Sequence, residues 1–488
     1  MIKRIFLSLT LITGICLSAY AGPEATFKKL YISYQWQQDG SVDMNVSKVL
    51  TYHTHTSFND IYGETFVEFN PEFQSVKINQ CYTVQKDGTK IVTPQNAFNE
   101  VLPSAAANAP DYNHLKELVI THTGLELGAT VYLDYTVHTR AGCWQALDID
   151  VPFLETGAIT DGRLSVTVPQ GTPVNVFVSG KAVQKKGTGN GNDTYSFAFA
   201  NIAANPRETL SAPYDDAVCR VILNTYPAGT KPFDIIAKSF ESGQPNMSLM
   251  FLMRSLRERS KEAIMEYVNS RLALSPLTLQ QTGYRMRPVD RILASAYGTQ
   301  AERMLLAATL LTSMRQTVKV YPVYPASAIR QAGEALGLAS MTGIALEPQQ
   351  EAATLTVNEK SAIALTRKDA QHALYTLSAP KGGIASFRLG TLNTQRVSPL
   401  ELPRPVDETY EYTISCDDGV KLDAPNREKH LANAVGSVDI VYQWKGQSLV
   451  ITRSLKINQH VIPAAQYAEF RALMNLWNTP SWQQVIVL

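Results

Sequence analysis

Thr299-Gln300-Ala301-Glu302-Arg303-Met304-Leu305-Leu306-Ala307-Ala308-Thr309-Leu310-Leu311-Thr312-Ser313-Met314 is the stretch on which the reading of this chain turns. Met304, Leu305, Ala308, Leu310 and Leu311 make it apolar nearly all round, and a helix without a polar stripe lies at the centre of a core. The following 318–323 has Val318 and Val320 at alternate positions before Pro322, and reads as a strand leaving that helix. A buried helix running into a strand predicts a central α+β unit.

Outward from that unit the texture changes on both sides. From Ser248 through Leu274, apolar residues recur mostly at three and four, as in an amphipathic helix. Before Pro232 the period is two: Val42, Met44 and Val46 after Asp39-Gly40, then Val131, Leu133, Tyr135 and Val137, then Leu164, Val166 and Val168. Asp87-Gly88 between Cys81–Val84 and Lys90–Val92 predicts a hairpin, and 181–192, rich in Gly and Lys, a mobile hairpin loop. Strands return from about Gly383, with Ser437 to Trp444 and Ser448 to Leu455 joined across Lys445-Gly446. A last helix, about Ala464 to Leu476, buries Tyr467, Phe470, Leu473 and Trp477.

At 488 residues the chain exceeds what one core supports. The reading is therefore an α+β multidomain protein: an N-terminal antiparallel β-sandwich over 22–225, an α+β domain over 226–385, and a C-terminal β-sandwich-like domain over 386–488 that carries the terminal helix. Lys and Arg number 44 against 43 acidic residues, so no overall field attracts a polyanion and nucleic acid is not an expected partner.

The first residues carry an export signal. Lys3 and Arg4 precede an apolar run from Ile5 to Leu17 and the small-x-small triplet Ala19-Tyr20-Ala21, which predicts a leader over 1–21 cleaved after Ala21. The run is too short to span a bilayer, and no later stretch is long and apolar enough to do so. A periplasmic or cell-surface location is expected. Cys16 follows Ile15, where a lipid-anchor signal wants a small residue. Beyond the leader stand Cys81, Cys143, Cys219 and Cys416, an even number compatible with one or two disulfides and too widely spaced for any zinc motif.

Leu50-Thr51-Tyr52-His53-Thr54-His55, the stretch Tyr82 to Pro94, Asn96-Ala97-Phe98-Asn99-Glu100, and the run Val119 to Ala129 form one set of segments. They resemble a known family of bacterial (Bacteroidetes-type) envelope proteins, in which a domain of unknown function, DUF3857, precedes a transglutaminase-like domain and a C-terminal β domain. In the middle the residues that carry the resemblance are Tyr284-Arg285-Met286-Arg287-Pro288 and Ser295-Ala296-Tyr297-Gly298-Thr299. Active members of the transglutaminase-like superfamily set a nucleophilic cysteine at the start of the central helix, where the positive dipole end favours a thiolate. In that register Tyr297 and Gly298 are retained, Thr299 stands where Asp is expected, and Gln300 occupies the cysteine position. An amide is not a nucleophile. No Cys lies between Pro232 and Pro380, and the one His there, His372, lies late. The resemblance thus implies a degenerate site with no catalytic residue and no cofactor or metal.

Other groupings read as structural. His53 and His55 share a face if on a strand, but read as solvent-facing or cross-strand-paired residues. His114 and His122 flank a strand. Tyr31, Tyr34 and Trp36 can form a glycan or peptide platform if exposed, and fill core positions otherwise. Glu208 with Asp215 and Asp216 reads as a solvated linker, and Trp477, Pro480 and Trp482 as the dock of the last helix. The expected function is an exported, non-catalytic binding or scaffolding protein of the cell envelope whose partner is an envelope protein, a peptide or a glycan. The alternative is a transglutaminase-like cysteine peptidase or amidase with a non-standard nucleophile, Cys219 being the candidate nearest the middle domain.

Overall fold

The computed structural model describes residues 23–487, apart from 206–207, 213–217, 242–246, 257, 350–352, 367–373, 379, 381 and 418. Cys16, the cleavage site at Ala21, Asp215, Asp216 and His372 lie outside the described residues.

The alternating segments of the first part build an eight-stranded sheet. Its order is Val183–Gly189, Asn192–Ile202, Ala158–Pro169, Ala25–Trp36, Val42–Tyr52, Thr130–Thr139, Gln74–Val84 and Lys90–Val92. Val42 and Leu50 face the same core as Val131, Leu133, Leu164 and Val166, all buried. The Asp87-Gly88 hairpin forms as expected, Tyr82 opposite Val92, with Gly88 at φ 89°, where a side chain would be strained.

The expectation of a purely antiparallel sandwich is corrected at one place. Ala25–Trp36 runs antiparallel to Val42–Tyr52 but parallel to Ala158–Pro169, with Ile32 opposite Leu164 and Tyr34 opposite Val166. Side-chain alternation sets which face of a strand is buried and leaves the direction of its neighbour open, so the sequence pattern could not distinguish the two. The segment read as a mobile loop at 181–192 is instead an edge strand and tight turn, Val183–Gly189 pairing with Asn192–Ile202.

Two three-stranded sheets complete this part. One, Glu64–Phe69, Lys116–Thr121 and Phe98–Val101, shares the sandwich core through Val67, Leu118 and Ile120. The other, Asn175–Ser179, Arg220–Asn224 and Asp148–Pro152, turns toward the helical middle.

The middle has six helices among the described residues: α1 (Asp234–Glu241), α2 (Met247–Ser255), α3 (Lys261–Arg271), α4 (Val289–Ser295), α5 (Gln300–Ser313) and α6 (Ala326–Ala332). The long amphipathic run after Ser248 is thus broken into α2 and α3, with Ser260 capping α3 by accepting the Ala263 N–H. Helix α5 is the buried centre that its composition predicts, with Leu306, Ala307 and Leu310 fully inaccessible. Truncating such a leucine costs about 2–5 kcal/mol. The strand expected over 318–323 is confined to Tyr321–Val323, which pairs with Gly343–Ala345.

The last part is a five-stranded sheet in the order Leu355–Leu365, Val406–Cys416, Ser448–Ile457, Gly436–Lys445 and Arg427–Ala432, so the boundary expected at 385 falls before Leu355 instead, because that strand finds its partner 51 residues on. Its hairpin at Lys445-Gly446 forms as read, and α7 (Tyr467–Trp477) packs Tyr467, Phe470, Leu473 and Trp477 on its apolar face. Trp482 lies against the Tyr442 ring and Arg427, which pins the chain beyond α7.

Candidate functional site

Three places in the molecule concentrate polar side chains that the core does not require. The first is the N-terminus of α5. Its cap follows from Thr299-x-x-Glu302: the Thr299 hydroxyl accepts the Glu302 N–H at 3.2 Å and the Glu302 carboxylate accepts the Thr299 N–H at 2.9 Å. Such a box satisfies two backbone donors that the first turn leaves open. Ala273–Ser275 runs parallel to Tyr297–Thr299 and fixes the approach of the chain.

Glu302 is fully buried and saturated. Besides Thr299, it accepts the Arg287 N–H and Nε–H, at 2.9 and 2.8 Å, the Arg287 Nη2 at 2.8 Å, and the Tyr112 hydroxyl at 2.6 Å. Burial pushes its carboxyl up, but Arg287 and Tyr112 prevail and hold it below the usual range. Arg287 also reaches Asp111 and donates to the Tyr297 carbonyl at 2.9 Å, its guanidinium 4.1 Å from the Tyr297 ring centroid. Asp111, paired with Arg291 and Arg287, stays well below the usual carboxylate range. Since Asp111 and Tyr112 belong to the N-terminal part, this network ties it to α5.

Gln300 is the first residue of α5, as expected. Its amide Nε2 donates to the Ile344 carbonyl at 2.6 Å, and its Oε1 accepts the Ile344 N–H at 3.0 Å. The backbone N–H and C=O of one residue of the Gly343–Ala345 strand therefore engage both ends of the side chain. An open hollow of 390 Å³ runs beside it, lined among others by Met265, Arg303 and Leu346. Thr299, read as the replacement for an acid, is spent on the helix cap.

The second place is the sandwich interior. Lys48 Nζ donates to the Thr65 hydroxyl at 2.8 Å, which lies 2.9 Å from His122 Nε2; His122 Nδ1 is 3.9 Å from Cys81 Sγ, and the Thr93 hydroxyl donates to that sulfur at 3.1 Å. A thiol beside an imidazole is the composition of a cysteine nucleophile. Its electrostatics are opposed to that role. Burial lowers His122 to about 3 and raises Cys81, so a neutral ring faces a protonated thiol.

Cys219, the nucleophile suggested for the alternative reading, is half-buried beneath Gly180, and burial raises its thiol. The four described cysteines are free thiols. His53 and His55 do not share a strand, which ends at Tyr52: His53 pairs with the Thr26 hydroxyl at 2.8 Å and His55 packs on Phe58. Among the described residues no three His, Cys, Asp or Glu side chains converge to hold a metal. Glu208 is no solvated linker. It is buried, accepts the Val397 and Ser398 N–H groups at 2.9 and 2.8 Å, and stands 3.6 Å from Arg396.

The third place is the seam between the N-terminal sheets and the helical middle, where two hollows of 250 and 190 Å³ share the walls Trp144, Asp148 and Gln280. Tyr34 lines the first and Tyr226 and Tyr284 the second, so Tyr34 is a half-buried wall rather than an exposed platform. Asp148 is 6% exposed. Its Oδ2 accepts the Tyr226 hydroxyl at 2.9 Å and the Leu338 N–H, whereas its Oδ1 has no hydrogen bond. Burial raises this carboxyl to about 6 against the lowering effect of Tyr226 and the Leu338 and Ala339 amides. Sequence reasoning missed both Glu302 and Asp148. The Thr-x-x-Glu spacing before an apolar run was the available signal for the former; Asp148 has its partners 78 and 190 residues away and left none.

Strand-rich ends flanking a helical middle, with a capped, saturated helix start at the centre, define a multidomain β-rich protein. Residues 38–206 match the model of DUF3857, a domain of unknown function of solved structure, and residues 374–487 match that of DUF3858, another such domain. A structure from Parabacteroides distasonis ATCC 8503, described as a "putative protease", is 30% identical, covering 96% of this chain and 100% of that one, with a TM-score of 0.84. The chain belongs to the family of that protein, with DUF3857 ahead of the middle and DUF3858 behind it.

Aminopeptidase A of Legionella pneumophila in complex with aspartic acid overlaps 42% of this chain and 22% of its own, at 8% identity and a TM-score of 0.24. An M1 zinc metallopeptidase from Deinococcus radiodurans overlaps 41% of this chain and 42% of its own, at 10% identity and a TM-score of 0.23. Overlaps so slight carry no weight here. Among curated proteins nothing matches. No helix of the described residues is long and apolar enough to cross a membrane.

Proposed function

We propose that this chain is an exported, non-catalytic binding or scaffolding protein of the cell envelope, with a transglutaminase-like middle that has kept a cleft and lost its nucleophile. The single observation that carries this is Gln300. At the first position of α5, where a helix dipole would activate a thiol, stands an amide that donates one N–H to the Ile344 carbonyl and accepts the Ile344 N–H. A side chain so held has no nucleophilic atom, and its amide is fixed against the strand. The leader expected over 1–21 supports export to the periplasm or cell surface, where an envelope protein, peptide or glycan would be the partner.

The second reading, a cysteine peptidase or amidase, draws on the description of the Parabacteroides relative and on the Cys81–His122 contact. One measurement separates the two. Intact mass is followed after exposing the native protein to iodoacetamide at neutral pH, with mass also recording cleavage at Ala21. The proposal expects slow labelling, with Cys81 reached only on unfolding. Rapid modification of one native cysteine, abolished by denaturant and accompanied by loss of a peptide-cleaving activity, would establish the peptidase instead.

A further inference from the structure

The hollow beside Gln300 has a positive charge on its wall that no acid answers. Lys261, Met265 and Asn269, one stripe of α3, face the first turn of α5 and the end of the Gly343–Ala345 strand across a space of 390 Å³. That volume lies within the roughly 300–1,000 Å³ of small-ligand sites. Arg303 follows Gln300 at i+3, hence on the same face of α5, and forms part of the wall. Its Nη2 donates to Asn269 Oδ1 at 2.6 Å, and its Nε is buried without a partner. The remaining nitrogen, Nη1, makes no hydrogen bond and is not buried, so its N–H groups are open to solvent.

Other sheltered arginines of the chain have their charge met. Arg287, Arg220 and Arg396 stand against carboxylates, and Arg427 and Arg453 lie on aromatic rings. Arg303 has neither among the described residues, and burial acts on it unopposed, lowering its pKa. A cation partly withdrawn from water is disfavoured until an anion joins it. Lys261 and Glu347, the other charged residues of the wall, pair with each other. One uncompensated positive charge remains, which suits a monoanion rather than a phosphate dianion. The wall is otherwise apolar at Met265, Met304 and Leu346, so the occupant must carry charge and hydrocarbon side by side. An Asp or Glu side chain ends at its carboxylate, whereas the last residue of a peptide holds carboxylate and side chain on one carbon. Asn269 Nδ2, which makes no hydrogen bond, supplies a donor for the peptide carbonyl before it.

We propose that this hollow captures the carboxyl terminus of a peptide with an apolar last residue, its carboxylate accepting from Arg303 Nη1 and its last side chain lying against Met265 and Leu346. The inference rests on the reading that the middle has kept its cleft, and names what that cleft takes. Because α3 and α5 supply opposite walls, an occupant bridges the two helices.

The test is calorimetric titration of the purified full-length protein with N-acetyl-dialanyl-leucine and with the same peptide as its C-terminal amide. The acid is expected to bind roughly tenfold or more tightly than the amide, since a charge-assisted hydrogen bond is worth at least that factor. Arg303→Gln should abolish the preference by weakening the acid alone, and Arg303→Lys, which keeps the charge, should retain part of it. The readout is a ratio between two peptides on one protein, so a loss of stability does not mimic it. Equal binding of the two peptides by the wild type, absence of binding at millimolar concentration, an unchanged preference in Arg303→Gln, or octanoate binding as tightly as the acid peptide overturns the proposal. Fast iodoacetamide labelling of a native cysteine strikes the silent centre instead and leaves the ratio of acid to amide untouched, so the two failures are distinguishable.

Discussion

Glu302 and Asp148 are two buried carboxylates in one molecule with opposite surroundings. Glu302 collects five hydrogen bonds at the start of α5, from Arg287, Tyr112 and Thr299. Asp148, in the seam some elements away, satisfies one oxygen and leaves the other bare. The first arrangement is complete without a ligand and has no spare capacity to act on one. The second leaves one oxygen without a hydrogen bond at a depth that solvent does not reach, so its charge is disfavoured by burial. The comparison separates a carboxylate whose pairing holds the fold from one whose burial works against its charge, and it ranks what substitution should do at each.

The largest effect is expected at Glu302. Glu302→Ala strands Arg287 in a buried site, and breaking such a pair from one side costs about 3–5 kcal/mol. Urea denaturation of the variant should register that drop; a loss under about 1 kcal/mol would mean that the network is an ornament of the fold and not its tie.

Next comes pH. Asp148 titrates near 6 in the folded chain, above its unfolded value of about 3.9, because burial disfavours its charge. The folded state thus binds more protons than the unfolded one in this window. The stability contributed by the protonated form is complete below about pH 4 and gone once the pH passes about 6, roughly 3 kcal/mol in all. Asp148→Asn should flatten that fall, seen as a difference between variant and wild-type stability curves from pH 4 to 7. Asp111 and Glu302, both depressed, act in the opposite sense and lose their contribution as the pH falls; they are common to both curves. Parallel curves would place Asp148 in wetter surroundings.

Gln300→Ala removes two hydrogen bonds to Ile344 and should cost about 1–3 kcal/mol. It should leave every measurable activity unchanged, since the amide performs none. A change in peptide turnover would contradict the silent centre directly. The smallest effect belongs to Arg291→Ala: its guanidinium is largely exposed, Asp111 keeps its pair with Arg287, and pairs at the surface contribute about 1 kcal/mol or less. A thermal melt indistinguishable from wild type is expected.

Much of this fold could be read from residue order, because its determinants are local. Alternation located the strands at Val42, Val131 and Leu164, Asp-Gly and Lys-Gly dipeptides located two hairpins, and unbroken hydrophobicity placed α5 at the centre. The start of α5 and the position of Gln300 on it were equally legible, since a cap and a first turn lie within a few residues. What sequence withheld was non-local. The parallel pairing of the first strand, the engagement of Gln300 by Ile344 44 residues on, and the convergence of Asp148, Tyr226 and Leu338 all depend on how distant segments meet. Glu208 fell to the same limit: beside Asp215 and Asp216 it looked solvated, yet Ser398, 190 residues away, covers it.

The parallel pairing of Ala25–Trp36 with Ala158–Pro169 also sets an order of events. Tyr31 meets Asp161 across 130 residues of intervening chain, and bringing such distant segments together is slow because the loop between them must first be closed. A chain that emerges N-terminus first gives this strand its hairpin partner Val42–Tyr52 at once and its other neighbour only much later. Until then one long edge of a nascent apolar sheet stands open to any passing strand, so the first strand to be made is among the last to be sealed, and a chaperone able to cover that edge during the wait would raise the yield of folded protein.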